Sequence, residues 1–149
     1  DGPLAATYSY NLVDHEDGID DNQGSSAAAI TAYVVSSEFD LDDGHKYMFV
    51  SRVIPDVSFD GSTANNPVVT LTLSPLANPG AGYTSPTSTG GVNNATITRT
   101  ATSPVEVFTE QLDIRVRGRQ LSMRIESDAT GVTWQLGSPR LDMRPDGRR

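Results

Sequence analysis

The chain of 149 residues has a formal net charge of −8, no cysteine, few aromatic residues, 13 glycines and 9 prolines. The acidity argues against general binding to nucleic acid, and the lack of cysteine excludes disulfides and thiolate chemistry within this sequence. No apolar run approaches the roughly 18 residues that a membrane span needs, and a chain of this length fits one domain with a modest core.

Charge is divided unevenly along the chain. Residues 1–65 hold 12 acidic side chains against Lys46 and Arg52, a net charge of −10, whereas residues 105–149 hold 8 arginines against 7 acidic side chains, a net charge of +1. These opposed charges predict that one part of the chain contacts the other, either within one molecule or between copies.

The first 26 residues divide into a predicted strand and a predicted loop. PLAATYSYNL alternates along its length from Leu4 to Leu12, which is the period of a strand. VDHEDGIDDNQGSS follows and has no period. Its carboxylates suit calcium, but the spacing of an EF-hand loop is absent. We therefore interpret it as a solvated acidic loop and expect no metal ion or cofactor.

Three further segments in the first half have strand patterns. AAITAYVVSSEF and KYMFVSRVI are separated by the turn DLDDGH, and the second is apolar at both odd and even positions, as in a strand covered on both faces. Pro55 is expected to end it. VVTLTLS places Val69, Leu71 and Leu73 on one face. From Pro75 to Asn94 the chain is rich in Pro, Gly, Ser and Thr, which predicts a long irregular loop.

The remaining predicted strands are ATITRTATSP, VEVFTEQL, DIRVRGRQLSMRIES and VTWQLG, followed by the tail SPRLDMRPDGRR. No segment has the period of a long amphipathic helix. Short strands separated by turn signals predict an all-β fold, an antiparallel β-sandwich with one long loop and little or no helix. We expect residues 1–149 to form a single domain of this kind.

Catalytic signals are weak. His15 and His45 are the only histidines, and each lies among acidic residues. A Ser-His-Asp triad can be drawn on paper, but the strained G-x-S-x-G nucleophile turn is absent. We therefore expect no enzymatic activity. Trp134 shares a strand face with Val132 and Leu136, which predicts a ring buried in the core, whereas an exposed ring would favour stacking on sugars.

The stretch DIRVRGRQLSMRIES changes the face on which its apolar residues lie. Ile114 and Val116 have even numbers, Leu121 and Ile125 have odd ones, and Gly118 lies between the two pairs. We interpret the change as a β-bulge in which Gly118 supplies a positive φ. A tight hairpin at the same glycine is the alternative.

The arginines of this stretch are the strongest candidates for a binding surface. A solvated strand face that discourages edge pairing is one explanation. The other is recognition of carboxylates on a neighbouring copy, because guanidinium groups form two-pronged hydrogen bonds with them. The candidate interface residues are Arg115, Arg117, Arg119, Arg124, Arg140, Arg144, Arg148 and Arg149 on the basic side, and Asp17, Asp20, Asp21, Asp42 and Asp43 on the acidic side.

A resemblance covers most of the chain. Residues 107–149 carry the pattern RxRGRQ…RxES…G…W.LG.PR.D.RPDGRR and resemble the C-terminal end of large virion structural proteins of short-tailed bacteriophages (podoviruses), those of the tail nozzle or tail-tube hub. Residues 32–62, AYVVSSEFDLDDGHKYMFVSRVIPDVSFDGS, resemble the part upstream of that end. Because those proteins are much longer and this chain starts at Asp1, the resemblance implies a C-terminal portion of a longer tail protein.

The resemblance further implies a structural, non-catalytic subunit of the virion that contacts copies of itself in a ring and neighbouring tail proteins, without membrane or specific nucleic-acid partners. The alternative is a β-sandwich carbohydrate-binding or receptor-binding domain, with the loop from Pro75 to Asn94 and Tyr83 as its ligand surface. Exposure of aromatic rings distinguishes the two, since a sugar binder displays Trp or Tyr and a subunit domain displays Arg and Asp.

Overall fold

The computed structural model describes residues 3–14, 18–22, 26–76 and 100–147. These ranges form twelve short strands and one 3-10 turn at Asp42–Gly44. The strands are β1 (Leu4–Ala6), β2 (Leu12–Asp14), β3 (Ala32–Val35), β4 (Phe39–Asp40), β5 (Met48–Ile54), β6 (Val57–Ser58), β7 (Val68–Leu76), β8 (Ala101–Glu106), β9 (Leu112–Gly118), β10 (Gln120–Ser127), β11 (Gln135–Leu136) and β12 (Arg140–Pro145).

Two antiparallel sheets face each other. The larger sheet has the order β3-β10-β7-β8, and β4 pairs with β10 beside β3. The smaller sheet has the order β12-β5-β9. Two separate pairs, β1 with β2 and β6 with β11, complete the described strands. The prediction of an all-β antiparallel sandwich is therefore confirmed.

The core consists of the inward side chains of both sheets. Alternate residues of each central strand are buried because successive side chains of a strand point to opposite faces. VVTLTLS behaves as predicted, with Val69, Leu71 and Leu73 fully buried and its threonines on the other face. The fully buried core residues include Met48, Val50, Val53, Val69, Leu71, Leu73, Leu121 and Ile125.

The change of face at Gly118 is a crossing between the two sheets. β9 belongs to the smaller sheet and β10 to the larger one, with only Arg119 between them. Side chains on both sides of the crossing therefore reach the same core although their numbering changes parity. Both earlier interpretations are wrong: Gly118 is not among the residues with positive φ, and β9 does not pair with β10 as a hairpin would require.

Gly118 is needed at the crossing for another reason. A Cβ at this position would lie 2.9 Å from the backbone oxygen of Gln120, 2.9 Å from Cβ of Pro75 and 3.3 Å from the backbone oxygen of Leu76. The next residue, Arg119, donates its backbone N–H to the Leu76 oxygen at 2.9 Å. The close approach of two backbones leaves no room for a side chain.

The first predicted strand is instead a hairpin. PLAATYSYNL folds as β1, a tight turn and then β2, which extends to Asp14. The Thr7 amide donates to the Asn11 oxygen at 2.9 Å, and Tyr10 adopts a φ of 64° in the turn. The alternation missed the turn because Tyr8 and Tyr10 continue the apolar period through it.

The ends of the remaining strands lie closer to their predicted positions. β5 ends before Pro55 as predicted, whereas β7 runs through Pro75 to Leu76. Within the predicted strand VEVFTEQL, Val107 and Phe108 lie in an exposed turn between β8 and β9. Residues 77–99 lie outside the described residues. The predictions about the rest of the long loop and about Tyr83 concern this range.

Candidate assembly surface

The four arginines of DIRVRGRQLSMRIES do not form one row. Arg115 and Arg117 project from the outer face of the smaller sheet, Arg119 lies at the crossing, and Arg124 lies on the larger sheet. They are divided between two sheets because the chain changes sheets at Arg119. Each arginine therefore has its own surroundings.

Arg117 fastens the end of the described chain to the smaller sheet. Its Nε donates to Oδ2 of Asp146 at 2.5 Å and its Nη2 donates to the Asp146 backbone oxygen at 3.1 Å. Its guanidinium also lies 4.2 Å from the ring centre of Tyr47, a buried residue. The backbones of Tyr47 and Asp146 are hydrogen-bonded to each other as well. Arg117 thus meets a carboxylate of its own chain.

Arg119 contacts the acidic turn of its own chain. Its Nη1 donates to the backbone oxygen of Gly44 at 3.2 Å, and its guanidinium lies 4.9 Å from the same Tyr47 ring. Beside it, the side-chain amide of Gln120 donates to Asp40 at 3.2 Å. Arg119 is therefore bound to the backbone of this turn within its own molecule.

Asp42 and Asp43 lie in this turn. Lys46 Nζ donates to Oδ2 of Asp42 at 2.6 Å, and this hydrogen bond, followed by the charge of Lys46, lowers the pKa of Asp42 below its ordinary value. Asp43 is exposed and has a φ of 55°, a left-handed conformation that aspartate tolerates better than most residues.

Arg124 is also paired within the chain. It donates to Oε2 of Glu126 at 2.6 and 2.8 Å, and its guanidinium lies 4.1 Å from the ring centre of Tyr33. The hydrogen bond with Glu126 is the main cause that raises the pKa of Arg124. Three of the four predicted interface arginines are therefore occupied by their own chain.

A different set of arginines shares one surface. Strand register places alternate residues of β9, β5 and β12 on the outer face of the smaller sheet. We call this surface the arginine face; its five arginines are Arg52, Arg115, Arg117, Arg140 and Arg144. The strands add only two aspartates to the same face, Asp113 and Asp142, so it is basic in a chain of net charge −8.

The five arginines of the arginine face differ in the contacts that their side chains make within the chain. Arg52 pairs with Asp142 at 3.4 Å, and Arg144 lies 4.9 Å from the ring centre of Phe49. The side chains of Arg115 and Arg140 are exposed and make no hydrogen bond, ion pair or ring contact with the part of the chain that the structure describes. Arg140 was predicted as an interface residue, while Arg52 was missed because it is isolated in sequence.

A shallow groove opens on this face between β5 and β12. It has a volume of about 280 Å³ and is lined by Arg52, Ile54, Arg140, Leu141 and Asp142. Ile54 and Leu141 are half-buried, whereas the two arginines and the aspartate are exposed. Ile54 shares the outer face with these charged residues, whereas Leu141 is opposite Val53 and packs against the core.

The other acidic candidates are dispersed. Both carboxylate oxygens of Asp20 accept from the Gly131 amide, at 2.8 and 3.0 Å, and so fasten residues 18–22 to the turn after β10. Asp21 is exposed, and its backbone bonds with that of Ala28. His15, Asp17, Arg148 and Arg149 lie outside the described residues.

Trp134 is half-buried rather than fully buried. It packs against the core, as do Val132 and Leu136, although only Leu136 of the three lies in a strand. Its Nε1 donates to Oγ of the buried Ser127 at 2.9 Å. The prediction of a ring buried in the core was wrong, since Trp134 remains partly accessible to solvent. This geometry suits packing better than stacking on a sugar.

Exposed apolar side chains form the feature that sequence reasoning missed. On the hairpin of β1 and β2, Tyr8 and Tyr10 are almost completely exposed, and Leu4 and Leu12 are 61% and 71% exposed. On the larger sheet, the edge strand β3 exposes Tyr33, Val34 and Val35, among others. No second layer lies over these residues in the ranges described.

Clusters suited to a metal ion and helices suited to a membrane are both absent from the described residues. No group of three or more histidine, aspartate or glutamate side chains there is arranged to hold a metal ion. No helix of that part of the chain has the length and apolarity to cross a membrane. Comparison with known proteins is equally negative: no family, no curated protein and no solved structure matches this chain.

Proposed function

We propose that this protein is a structural subunit of a bacteriophage tail, a component of nozzle or hub type that works through contacts between copies in a ring and with neighbouring tail proteins in the virion. The observation that carries the proposal is the arginine face, where Arg115 and Arg140 are exposed and unpaired among the described residues. The similarity of residues 107–149 to the ends of podovirus tail proteins supports the same role.

Energetics favour an interface over a solvated face. Exposed ion pairs contribute only about 0 to 1 kcal/mol each, so five arginines on one face add little to the stability of an isolated domain. At a contact between subunits, arginine is favoured and complementary charge sets the register of the partners. The acidic first third of a neighbouring copy, which has no lysine or arginine before Lys46, offers the matching charge.

Charge reversal of the unpaired arginines tests the proposal. We expect the wild-type chain to sediment as a particle of several copies, and the double variant Arg115→Glu, Arg140→Glu to sediment as a folded monomer. Sedimentation velocity measures the first property and circular dichroism the second. Arg117 and Arg119 are unsuitable for this test because reversal there breaks contacts within the chain to Asp146 and Gly44.

Thr102→Glu is the matched control, since Thr102 is exposed on β8 of the opposite sheet. This variant should assemble like the wild type. A wild-type chain that remains monomeric at high concentration, or a double variant that assembles normally, would contradict the proposal.

A carbohydrate-binding or receptor-binding domain is the second candidate, because Tyr8 and Tyr10 are displayed at the tip of the hairpin. Exposed aromatic rings are a common feature of sugar-binding surfaces. The two rings flank a tight turn rather than a flat platform, which favours the structural role. Titration of the chain with a panel of oligosaccharides, followed by calorimetry, separates the candidates: saturable binding lost in Tyr8→Ser, Tyr10→Ser would favour the second.

A further inference from the structure

The hairpin of β1 and β2 carries apolar surface that its own domain does not cover. Its strands have three residues each, and Leu4, Tyr8, Tyr10 and Leu12 all project into solvent. A two-stranded hairpin is marginal in water unless a further surface packs against it. The hairpin therefore needs an apolar partner that is not supplied by the described part of its own molecule.

The groove between β5 and β12 has the complementary chemistry. Its half-buried Ile54 suits an apolar side chain, and the same face presents Arg140 beside the Arg52–Asp142 ion pair. The chain already places four arginines over aromatic rings, with guanidinium-to-centroid distances of 4.1 to 4.9 Å. Arg140 has no such ring among the described residues, and the hairpin displays two tyrosine rings that no described arginine covers.

The distribution of charge also favours contact between the hairpin and the groove. The first 21 residues hold six acidic side chains and no lysine or arginine, and Asp14 ends β2 within the hairpin. The groove belongs to the arginine face. The carboxylate of Asp14 on the aromatic hairpin and the unpaired guanidinium of Arg140 at the groove have opposite charge, and contact between the two surfaces excludes water from rings and guanidinium groups alike.

We infer that the hairpin of one copy docks in the groove between β5 and β12 of a second copy of this chain. The inference rests on the proposed function, because it requires copies to assemble, and it names the two surfaces that meet. Hairpin and groove are different surfaces of one molecule, so the contact is head-to-tail. Such contacts build rings when the rotation between neighbours closes.

The absence of cysteine makes a cross-linking test specific. Ser9→Cys places a thiol at the tip of the hairpin and Ile54→Cys places one in the groove. The two single variants, each a full chain, are mixed and treated with a short bis-maleimide. We expect a cross-linked dimer at about tenfold higher yield than in a mixture of Ser9→Cys with Thr102→Cys, because docking raises the effective thiol concentration.

Two further measurements show whether cross-linking depends on the tyrosines and whether the chains assemble without it. Adding Tyr8→Ser and Tyr10→Ser to the Ser9→Cys chain should abolish the excess of dimer. Sedimentation of the same mixtures without reagent reports assembly independently. Assembly without cross-linking at Ile54 would overturn the inference and leave the proposed function intact, whereas no assembly and no cross-linking would overturn both.

The cross-linking experiment also distinguishes two other positions for the hairpin. Preferential cross-linking of Ser9→Cys to Val34→Cys would place the hairpin on the exposed edge strand β3 and would overturn the groove as its acceptor. Rapid cross-linking within the double variant Ser9→Cys, Ile54→Cys, with none between mixed single variants, would show that the hairpin folds back on its own domain. That result would also overturn the inference.

Discussion

Arginine and aromatic side chains are consistently associated in this molecule. Arg117 and Arg119 share the ring of Tyr47, while Arg124 lies over Tyr33 and Arg144 over Phe49. A guanidinium over a ring face keeps its N–H groups free to donate in its own plane, so it can bind a carboxylate or a carbonyl at the same time. Arg117 does so with Asp146, and Arg119 with Gly44.

At the same scale, Trp134 joins the short strands to the larger sheet. Because its ring is half-buried, Trp134→Ala should destabilise the domain by about 2 to 4 kcal/mol, somewhat below the usual range for large buried aromatic residues. Trp134→Phe keeps most of the packing but leaves the buried Ser127 Oγ without its donor, which costs about 1 to 3 kcal/mol. Chemical denaturation measures both values.

Ser127→Ala separates packing from hydrogen bonding in this pair. If the bond contributes, the double variant Trp134→Phe, Ser127→Ala should be less destabilised than the sum of the two single variants. Strict additivity would show that the hydrogen bond is unimportant and that packing alone holds the ring.

At the scale of elements, the crossing from β9 to β10 connects the two sheets through one residue. Sandwiches commonly make such corners where a strand leaves one sheet and enters the other. The crossing is tight because the backbone at Gly118 approaches the end of β7. A short connection of this kind fixes the offset between the sheets and hence the alignment of their inner faces.

The crossing yields a prediction about Gly118. Gly118→Ala should destabilise the domain by about 1 to 3 kcal/mol, because the added Cβ would lie too close to two backbone oxygens and to Pro75. Thermal unfolding followed by circular dichroism measures the change. Because Gly118 does not have a positive φ, crowding rather than backbone strain causes the loss, and alanine should already cause most of it.

Gly147→Ala is a useful comparison because Gly147 has a φ of 77° and no atom within 4 Å of its potential Cβ. That variant isolates the cost of the backbone conformation from the cost of crowding. A melting temperature of Gly118→Ala equal to that of the wild type would disprove the steric account of the crossing.

At the scale of the whole molecule, charge and apolar surface are both asymmetric. The arginine face lies on one sheet, while the acidic residues are concentrated in the first third of the chain. The exposed apolar residues are concentrated on the hairpin and the edge strand β3. A molecule with two unlike, complementary surfaces is suited to head-to-tail contact with its own copies.

Assembly through the arginine face should therefore depend on salt. Raising the ionic strength from about 0.1 M to about 1 M shortens the screening length from about 10 Å to about 3 Å. We expect the particle to dissociate toward monomers in sedimentation velocity over this range. The thermal stability of the monomeric Arg115→Glu, Arg140→Glu variant should change little, since apolar burial holds its core. Assembly that is insensitive to salt would indicate an apolar contact instead.

The sequence by itself determined the fold class and most of the core. Val69, Leu71 and Leu73 followed directly from alternation, because the period of a strand is a local property of the chain. The turn signals and the proline that follows β5 are also local features, so the sequence alone could predict them. The sequence also singled out the arginines as candidate interface residues, because their concentration in one segment is visible without the structure.

Only the tertiary structure decided which arginines are available. Arg117 meets Asp146, and Arg119 meets Gly44, across 29 and 75 positions of sequence. No local pattern specifies such pairs, because they depend on which strands become neighbours when the two sheets pack. The same holds for Gly118: its sequence context suggested an unusual φ, but the sheet crossing and the approach of β7 gave the glycine its role. The arginine face itself exists because β12, β5 and β9 lie side by side, which brings arginines from three distant segments onto one surface.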